Sequence, residues 1–453
     1  MSEDEILTEM RNKVQPLTEE QMFYFRLLKN FSDKTICNAN PVLIKLNDNV
    51  DLEKYSRVLF KLREAHPALL SVVEEEKGVP VQRYVPELNK IISIEKISYD
   101  ELMNLDLIQP FKMSEPLYIF RLFETDKGKY FFSDLCHVVF DGISSNLAIG
   151  HLLKIYADDE SNTPDLWLSY LKKREEVKLS SSYADLEAWY NEKYGGIEWT
   201  TYPQTDFPEK PNVNEEGFFS PNIKISKADF EILRKARISR NEFFTAVSLI
   251  ATKIHTQKNN IMISWMYKGR VNREEKHIIG LMLRILPVAI KFEKMPLSSF
   301  FNSVKKQVKD CLAHLDYPYT SLTECKDYLC LIYQSNIISS LFESDVFEDI
   351  VNFKEPQNTG SMNLFDIQIG EGDDGVEFLF DYRADRYKNE SIRRFAKIFT
   401  ECTKKLLDAV KNNTNPDVIE LSDNIFNEIK YYSGEDEADD TTLHASHLKL
   451  AAH

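Results

Sequence analysis

The chain has 453 residues, a formal net charge of -16, 43% hydrophobic and 28% charged residues, the balance of a globular protein large enough for two lobes. So acidic a chain lacks the clustered positive charge that a broad nucleic-acid or anionic-membrane face needs, which argues against both partners. Its six cysteines (Cys37, Cys136, Cys311, Cys325, Cys330, Cys402) form no C-x-x-C pair; with a polar, acidic start from Met1 to Met10 and no run of about 18 apolar residues, this argues against a metal centre and for a cytoplasmic location.

In chain order, Asp51 is placed to cap a helix from Leu52 to Leu62, where Leu52, Tyr55, Leu59 and Leu62 fall at helical spacing. Val79 to Val85 alternates as a half-buried strand does. Leu117 to Phe123 and Tyr130 to Leu135 read as two strands around the turn Asp126-Lys127-Gly128. After Asp141-Gly142 the pattern turns helical, with Ser144 or Ser145 as cap and Leu147, Ile149, Leu152, Leu153 and Tyr156 as the apolar face. Lys172 to Ser182 carries charge and serine without apolar periodicity, so it is expected to connect two lobes.

The second half repeats the same kinds of element. Phe243 to Ile254 and Leu297 to Leu312 are expected helices, and Ile261 to Met266 an expected strand. Phe365, Ile367 and Ile369 alternate on one strand, Gly370 to Gly375 turns, and Val376, Phe378 and Phe380 alternate on the next. Ser391 to Leu407 is a long helix with Ile392, Phe395, Phe399, Cys402 and Leu406 inward. The expected organisation is α/β (α+β) in two lobes, 1–178 and 179–432, followed by an acidic tail, 433–453, without a core pattern.

The stretch with most chemical content is Cys136-His137-Val138-Val139-Phe140-Asp141-Gly142. A strand delivers His137 to its end, an Asp-Gly turn follows, and a helix begins. Such a frame holds the backbone while the imidazole can face a cleft and accept a proton from an amine. The same residue types also suit a structural histidine, and the motif alone leaves both readings open. His66 and His314 are second candidates that read as structural, and Phe23-Tyr24-Phe25 reads as core. No G-x-S-x-G, Walker loop or dinucleotide fingerprint occurs.

This stretch resembles the H-H-x-x-x-D-G signature of nonribosomal peptide synthetase condensation domains, relatives of chloramphenicol acetyltransferase, except that Cys136 stands at the first histidine. Further matches follow the family's order. They include Pro16-Leu17-Thr18-Glu19-Glu20-Gln21, His66 with Leu69 and Val79-Pro80-Val81-Gln82, and Tyr183-Ala184-Asp185-Leu186-Glu187-Ala188-Trp189. Gly269-Arg270, Ile279-Gly280 through Leu286-Pro287, and His314-Leu315-Asp316-Tyr317-Pro318-Tyr319 complete the set.

The resemblance implies a pseudo-dimer of two acetyltransferase-like lobes in a V, with a tunnel at their interface. His137 would be the catalytic residue, as base or as positioning group, and Asp141 would pair with Arg270. Gly142 would let backbone approach the substrate, and Cys136 would fill the old imidazole space. Ile143, Ser144 and Arg284 would line the tunnel, and the stretch near Phe365 would lace one lobe to the other.

The implied activity is amide-bond formation between donor and acceptor groups on 4'-phosphopantetheine carrier proteins, with no bound cofactor, no metal and a monomeric domain. Thr442-Leu443-His444 resembles the start of an adjacent adenylation domain. Ile143, Leu70 and Arg284 stand where the family usually has tryptophan, arginine and asparagine. The alternatives are a coenzyme A-dependent acyltransferase, a catalytically silent carrier-recruiting platform and an epimerase of the same superfamily.

Overall fold

The structure is a computed structural model. The structure describes residues 14–30, 35–38, 41–158, 165–210, 213, 215–318, 328–334, 344–353, 361–371 and 375–431. The expected tail 433–453 and the centre of the turn between Gly370 and Gly375 lie outside these residues.

The first half builds a five-stranded sheet in the order Phe347–Val351, Val42–Leu46, Gly128–Leu135, Tyr118–Thr125, Ile94–Lys96. A smaller sheet of Gln15–Pro16, Val79–Tyr84 and Ser71–Glu76 stands beside it. The helix Leu52–Ala65 starts at Asp51, whose carboxylate accepts from the Glu53 and Lys54 amides, and it buries Leu52, Tyr55, Leu59 and Leu62 as the spacing predicts. The second half builds a six-stranded mixed sheet in the order Arg284–Lys291, Asn260–Tyr267, Leu329–Gln334, Phe365–Glu371, Val376–Arg383, Glu216–Phe219. The helices Arg240–Thr256, Leu297–Ala313 and Asn389–Lys411 pack on one face, burying Phe243, Phe300 and Phe395 against Leu331, Phe365 and Phe380.

Three expectations need correction. The segment Lys172 to Ser182 is helical: one helix spans Trp167–Leu179 and the next begins at Ser182. Only its first turns bury side chains (Trp167, Leu168, Tyr170, Leu171). The remainder is mostly Lys, Arg and Glu, good helix formers, and its Val177 and Leu179 are too few to make an apolar period. The cap of the helix Gly142–Tyr156 is Asp141, with Ser144 answering as the third residue of a capping box, rather than Ser144 or Ser145 as cap. The stretch near Phe365 is an interior strand of the second sheet, and the strand that crosses from the second half is Phe347–Val351, paired antiparallel with Val42–Leu46.

A second crossing runs the same way. Ile278, Ile279, Leu281, Met282 and Leu283 are buried in the core of the first half. This loop brings the second half of the chain onto the strand end that carries His137.

Candidate active site

The hairpin of Tyr118–Thr125 and Gly128–Leu135 turns at Gly128, whose φ of +129° suits glycine. Its second strand runs directly into Cys136 and His137. Backbone bonds pin the exit: the His137 amide donates to the Cys37 carbonyl at 2.8 Å, and the Val139 and Phe140 amides to the Cys136 carbonyl at 3.0 Å. The His137 side chain bends back so that Nδ1 lies 2.9 Å from the Phe140 carbonyl oxygen. A carbonyl only accepts, so Nδ1 carries the hydrogen and Nε2 carries the lone pair of the neutral ring. The ring stacks on Tyr24 of the helix Glu19–Asn30, with centroids 4.4 Å apart and planes within 3°.

Burial pulls the His137 imidazole down to about 4, against a smaller upward pull from the Asp141 carboxylate. An unfolded histidine titrates near pH 6.5. Between those values the unfolded chain binds a proton that the folded ring refuses, so this ring subtracts stability as pH falls from about 6.5 to 4, by roughly 3 kcal/mol at most. Urea unfolding should therefore weaken from pH 7 to pH 4.5, and His137→Ala should lose less over that interval. His255, also held at about 4 by burial, titrates in the same direction and leaves a residual loss.

Asp141 sits at the centre of a buried cluster. Its carboxylate accepts from Arg270 Nη1 at 2.9 Å and Nη2 at 3.1 Å, from the Ser144 amide at 2.8 Å and hydroxyl at 2.7 Å, and from the Met282 amide at 3.0 Å. Burial, the largest single influence, would raise this carboxyl; the Arg270 guanidinium and the bonds from the Met282 amide and Ser144 together outweigh it and hold the group below its ordinary range. Arg270 also donates to the Ile278 and Gly280 carbonyls. The turn before it requires glycine: Gly269 has φ +69°, and a Cβ there would lie 1.6 Å from the Met282 carbonyl oxygen.

Two residues expected along a tunnel belong instead to this framework. Ser144 is fully buried, and its hydroxyl lies between the Asp141 carboxylate and the Gly280 backbone, where it also meets Arg270. Arg284 is buried, donates to the Met282 and Leu283 carbonyls and to the Tyr170 hydroxyl, and pairs with Glu20 at 3.2 Å. Arg174 stands 3.7 Å from the same carboxylate. These contacts tie both side chains to polar partners within the protein, although Arg284 Nε meets none among the described residues.

Gly142 and Ile143 open the helix Gly142–Tyr156 and are partly exposed. Cys136 is fully buried, and burial pushes its thiol well up, which suits a space-filling group rather than a nucleophile. His66 is buried between Asp165 and His151, while His314 bonds the Asp310 carbonyl and stacks on Trp189. A cavity of about 490 Å³ lies in the second half among Arg237, Glu242, Phe301 and Asn413, and is lined by none of the candidate residues. Among the described residues no group of three or more His, Cys, Asp or Glu could hold a metal, and no helix is long and apolar enough to cross a membrane.

Sequence reading missed Tyr24 and Glu20. Tyr24 reads as core and Glu20 sits within the Pro16 to Gln21 match without a site role of its own, and each acquires its role from a partner more than a hundred residues away.

The family model of the condensation domain matches residues 11–416. The chain belongs to the condensation-domain family. Surfactin synthase subunit 1 of Bacillus subtilis (strain 168) is 24% identical over 422 residues, covering 87% of this chain and 11% of that protein. The chain thus spans about a tenth of that curated relative. The condensation domain of the Monacolin K polyketide synthase MokA superposes with a TM-score of 0.73 at 14% identity, covering 90% of this chain and 99% of that one. The X-domain from teicoplanin biosynthesis, solved in complex with OxyB, superposes with a TM-score of 0.75 at 14% identity, covering 91% and 96%. Peptide-bond formation in nonribosomal peptide synthesis is the general function of this family.

Proposed function

We propose that this condensation domain is catalytically competent and joins a donor acyl or aminoacyl thioester to an acceptor amine, both borne on the phosphopantetheine arms of carrier proteins. The observation that carries the reading is the imidazole of His137, held by its Nδ1–H on the Phe140 carbonyl so that Nε2 is the acceptor. In this mechanism Nε2 accepts a hydrogen bond from the attacking amine. The amine nitrogen forms a bond to the thioester carbonyl carbon, the carbon–sulfur bond breaks, and the thiolate leaves with the amine's proton. Aminolysis of a thioester is downhill, so most of the acceleration comes from bringing the two reactants together, which can contribute about 7–11 kcal/mol.

Asp141, Arg270 and Ser144 act as the frame of the His137 loop, and Gly142 gives room at the mouth. The two lobes, divided near 178 and 179, form the arms of a V, and the substrates meet in a tunnel that opens between the sheet end at His137 and the second sheet. The domain works in the cytoplasm as a monomer beside carrier proteins and an adenylation domain, without a resident cofactor.

The test is a product assay across a panel of aminoacyl acceptors, with one acyl group offered either on a carrier protein or on coenzyme A. Product from the carrier-borne donor and little from the coenzyme A donor is the expected result. Equal rates from both would favour the coenzyme A-dependent acyltransferase. No product from either would favour a silent platform, the reading kept open by a fold shared with an X-domain found in complex with a second protein.

A further inference from the structure

Asp366 is a buried carboxylate that the framework around Asp141 does not explain. Asp141 has Arg270 and Asp385 has Arg383. Asp366 is 6% exposed, and its described partner is the Asn363 amide nitrogen, 3.0 Å from each of its oxygens. No cation faces it among the described residues, and burial pushes the carboxyl up to about 7. Two residues along the same strand, Gln368 is 1% exposed, and neither its side-chain nitrogen nor its oxygen has a partner among the described residues. Buried polar atoms are normally paired, so an amide with both ends unmet keeps hydrogen-bonding capacity that water or another molecule would satisfy.

The strand pattern fixes which way these groups look. Phe365, Ile367 and Ile369 point into the core beneath the helices, so Asp366 and Gln368 lie on the opposite face. Cys330 pairs with Asp366, and Ile332 with Gln368, across the neighbouring parallel strand. On that face Cys330 and Ile332 pack with Met266 and Ile285, and these two also pack against the core of the first half. The phenol of Tyr24, the ring stacked on His137, is raised first by burial and then by Cys37, Cys330, Asp366 and Asp141. His137 thus stacks on this tyrosine, and Asp366 lies near enough to act on its phenol electrostatically from the other half of the chain.

We propose that Asp366 and Gln368 form the seat of the acceptor substrate, Asp366 holding its amino group and Gln368 pairing with an amide of its pantetheine arm. This rests on the amide-forming reading of the site. A carboxylate accepts only, and an ammonium donates only, so the pair completes the missing charge partner. A primary amide offers one acceptor and two donors, which matches the N–H and C=O of a secondary amide. Ordered water would satisfy Gln368 equally, and the experiment separates the two.

The probe is glycyl-aminopantetheine, in which an amide replaces the thioester so that no turnover occurs, together with its N-acetylated form. Binding of both to the whole chain is measured by calorimetry for wild type, Asp366→Asn and Gln368→Leu. The free-amine probe should bind wild type about 10-fold tighter than the acetylated one, the size expected for a hydrogen bond to a charged group. Asp366→Asn should abolish that preference while keeping the melting temperature. Gln368→Leu should weaken both probes about 10-fold while the melting temperature holds or rises, because a buried unpaired amide is removed.

Equal binding of the two probes to wild type, an unchanged preference in Asp366→Asn, or no binding at all would overturn the seat. Unchanged affinity in Gln368→Leu would assign its amide to water. Failure of the amide-forming reading would appear instead in the product assay, because these probes cannot react.

Discussion

Alanine in place of His137 is expected to lower amide formation in a carrier-to-carrier assay by about 10²–10⁴-fold, the range for loss of a positioned general base. The fold should survive, since the ring's bond to the Phe140 carbonyl is local, three residues away, and its stacking partner Tyr24 remains. The state of the ring sharpens the role. With burial holding the imidazole at about 4, it is neutral at pH 7 and ready to accept a hydrogen bond. Complete protonation at pH 7 would cost roughly 4 kcal/mol, three units at about 1.4 kcal/mol each. The physical reading is a hydrogen bond that orients the amine and strengthens as positive charge develops on nitrogen. A single-turnover measurement with loaded carriers checks it, and unchanged product formation would remove His137 from the chemistry.

The second large effect is on stability. Arg270→Leu should destabilise the protein by about 3–5 kcal/mol, because it strands the Asp141 carboxylate without a countercharge in a site that excludes water. The two groups are 2% and 4% exposed at the side chain and 2.9 Å apart. Arg270 also donates to the Gly280 carbonyl and from two of its nitrogens to the Ile278 carbonyl, and these bonds would be lost. The double variant Asp141→Leu with Arg270→Leu should recover part of the loss, since no buried charge remains. Urea midpoints for the four proteins of this cycle give the coupling. A single Arg270→Leu variant that unfolds at the wild-type midpoint would mean that the cluster does not clamp the loop. The consequence for function is indirect: the clamp ties the His137 exit to the loop from 270 to 282, so its loss should also lower product formation.

Much of the local architecture was legible in the chain. Alternation and helical spacing marked the helix from Leu52, the hairpin ending at Leu135 and the strands at Phe365 and Val376, because each buries one face and the apolar period reports that face directly. Where burial is confined to the first turns of an element the period fades, and for that reason Lys172 to Ser182 reads as a connection although the helix Trp167–Leu179 runs through most of it. The order of short motifs around His137 carried the family, which the match over residues 11–416 shows.

By itself, then, the chain determined its elements, its family and the local setting of His137, since these follow from spacing, turn chemistry and residue type within a few positions. Only the tertiary structure decided that Tyr24 covers the imidazole, that Ser144 and Arg284 belong to the framework, and that Phe347–Val351 crosses to the first sheet. It likewise decided that Asp366 and Gln368 lie on the sheet face opposite the helices, with no cation beside Asp366 among the described residues. The reason is physical: a side chain's charge state and its remaining hydrogen-bonding capacity depend on neighbours brought together by folding, and no periodicity in the chain encodes contacts between segments more than a hundred residues apart.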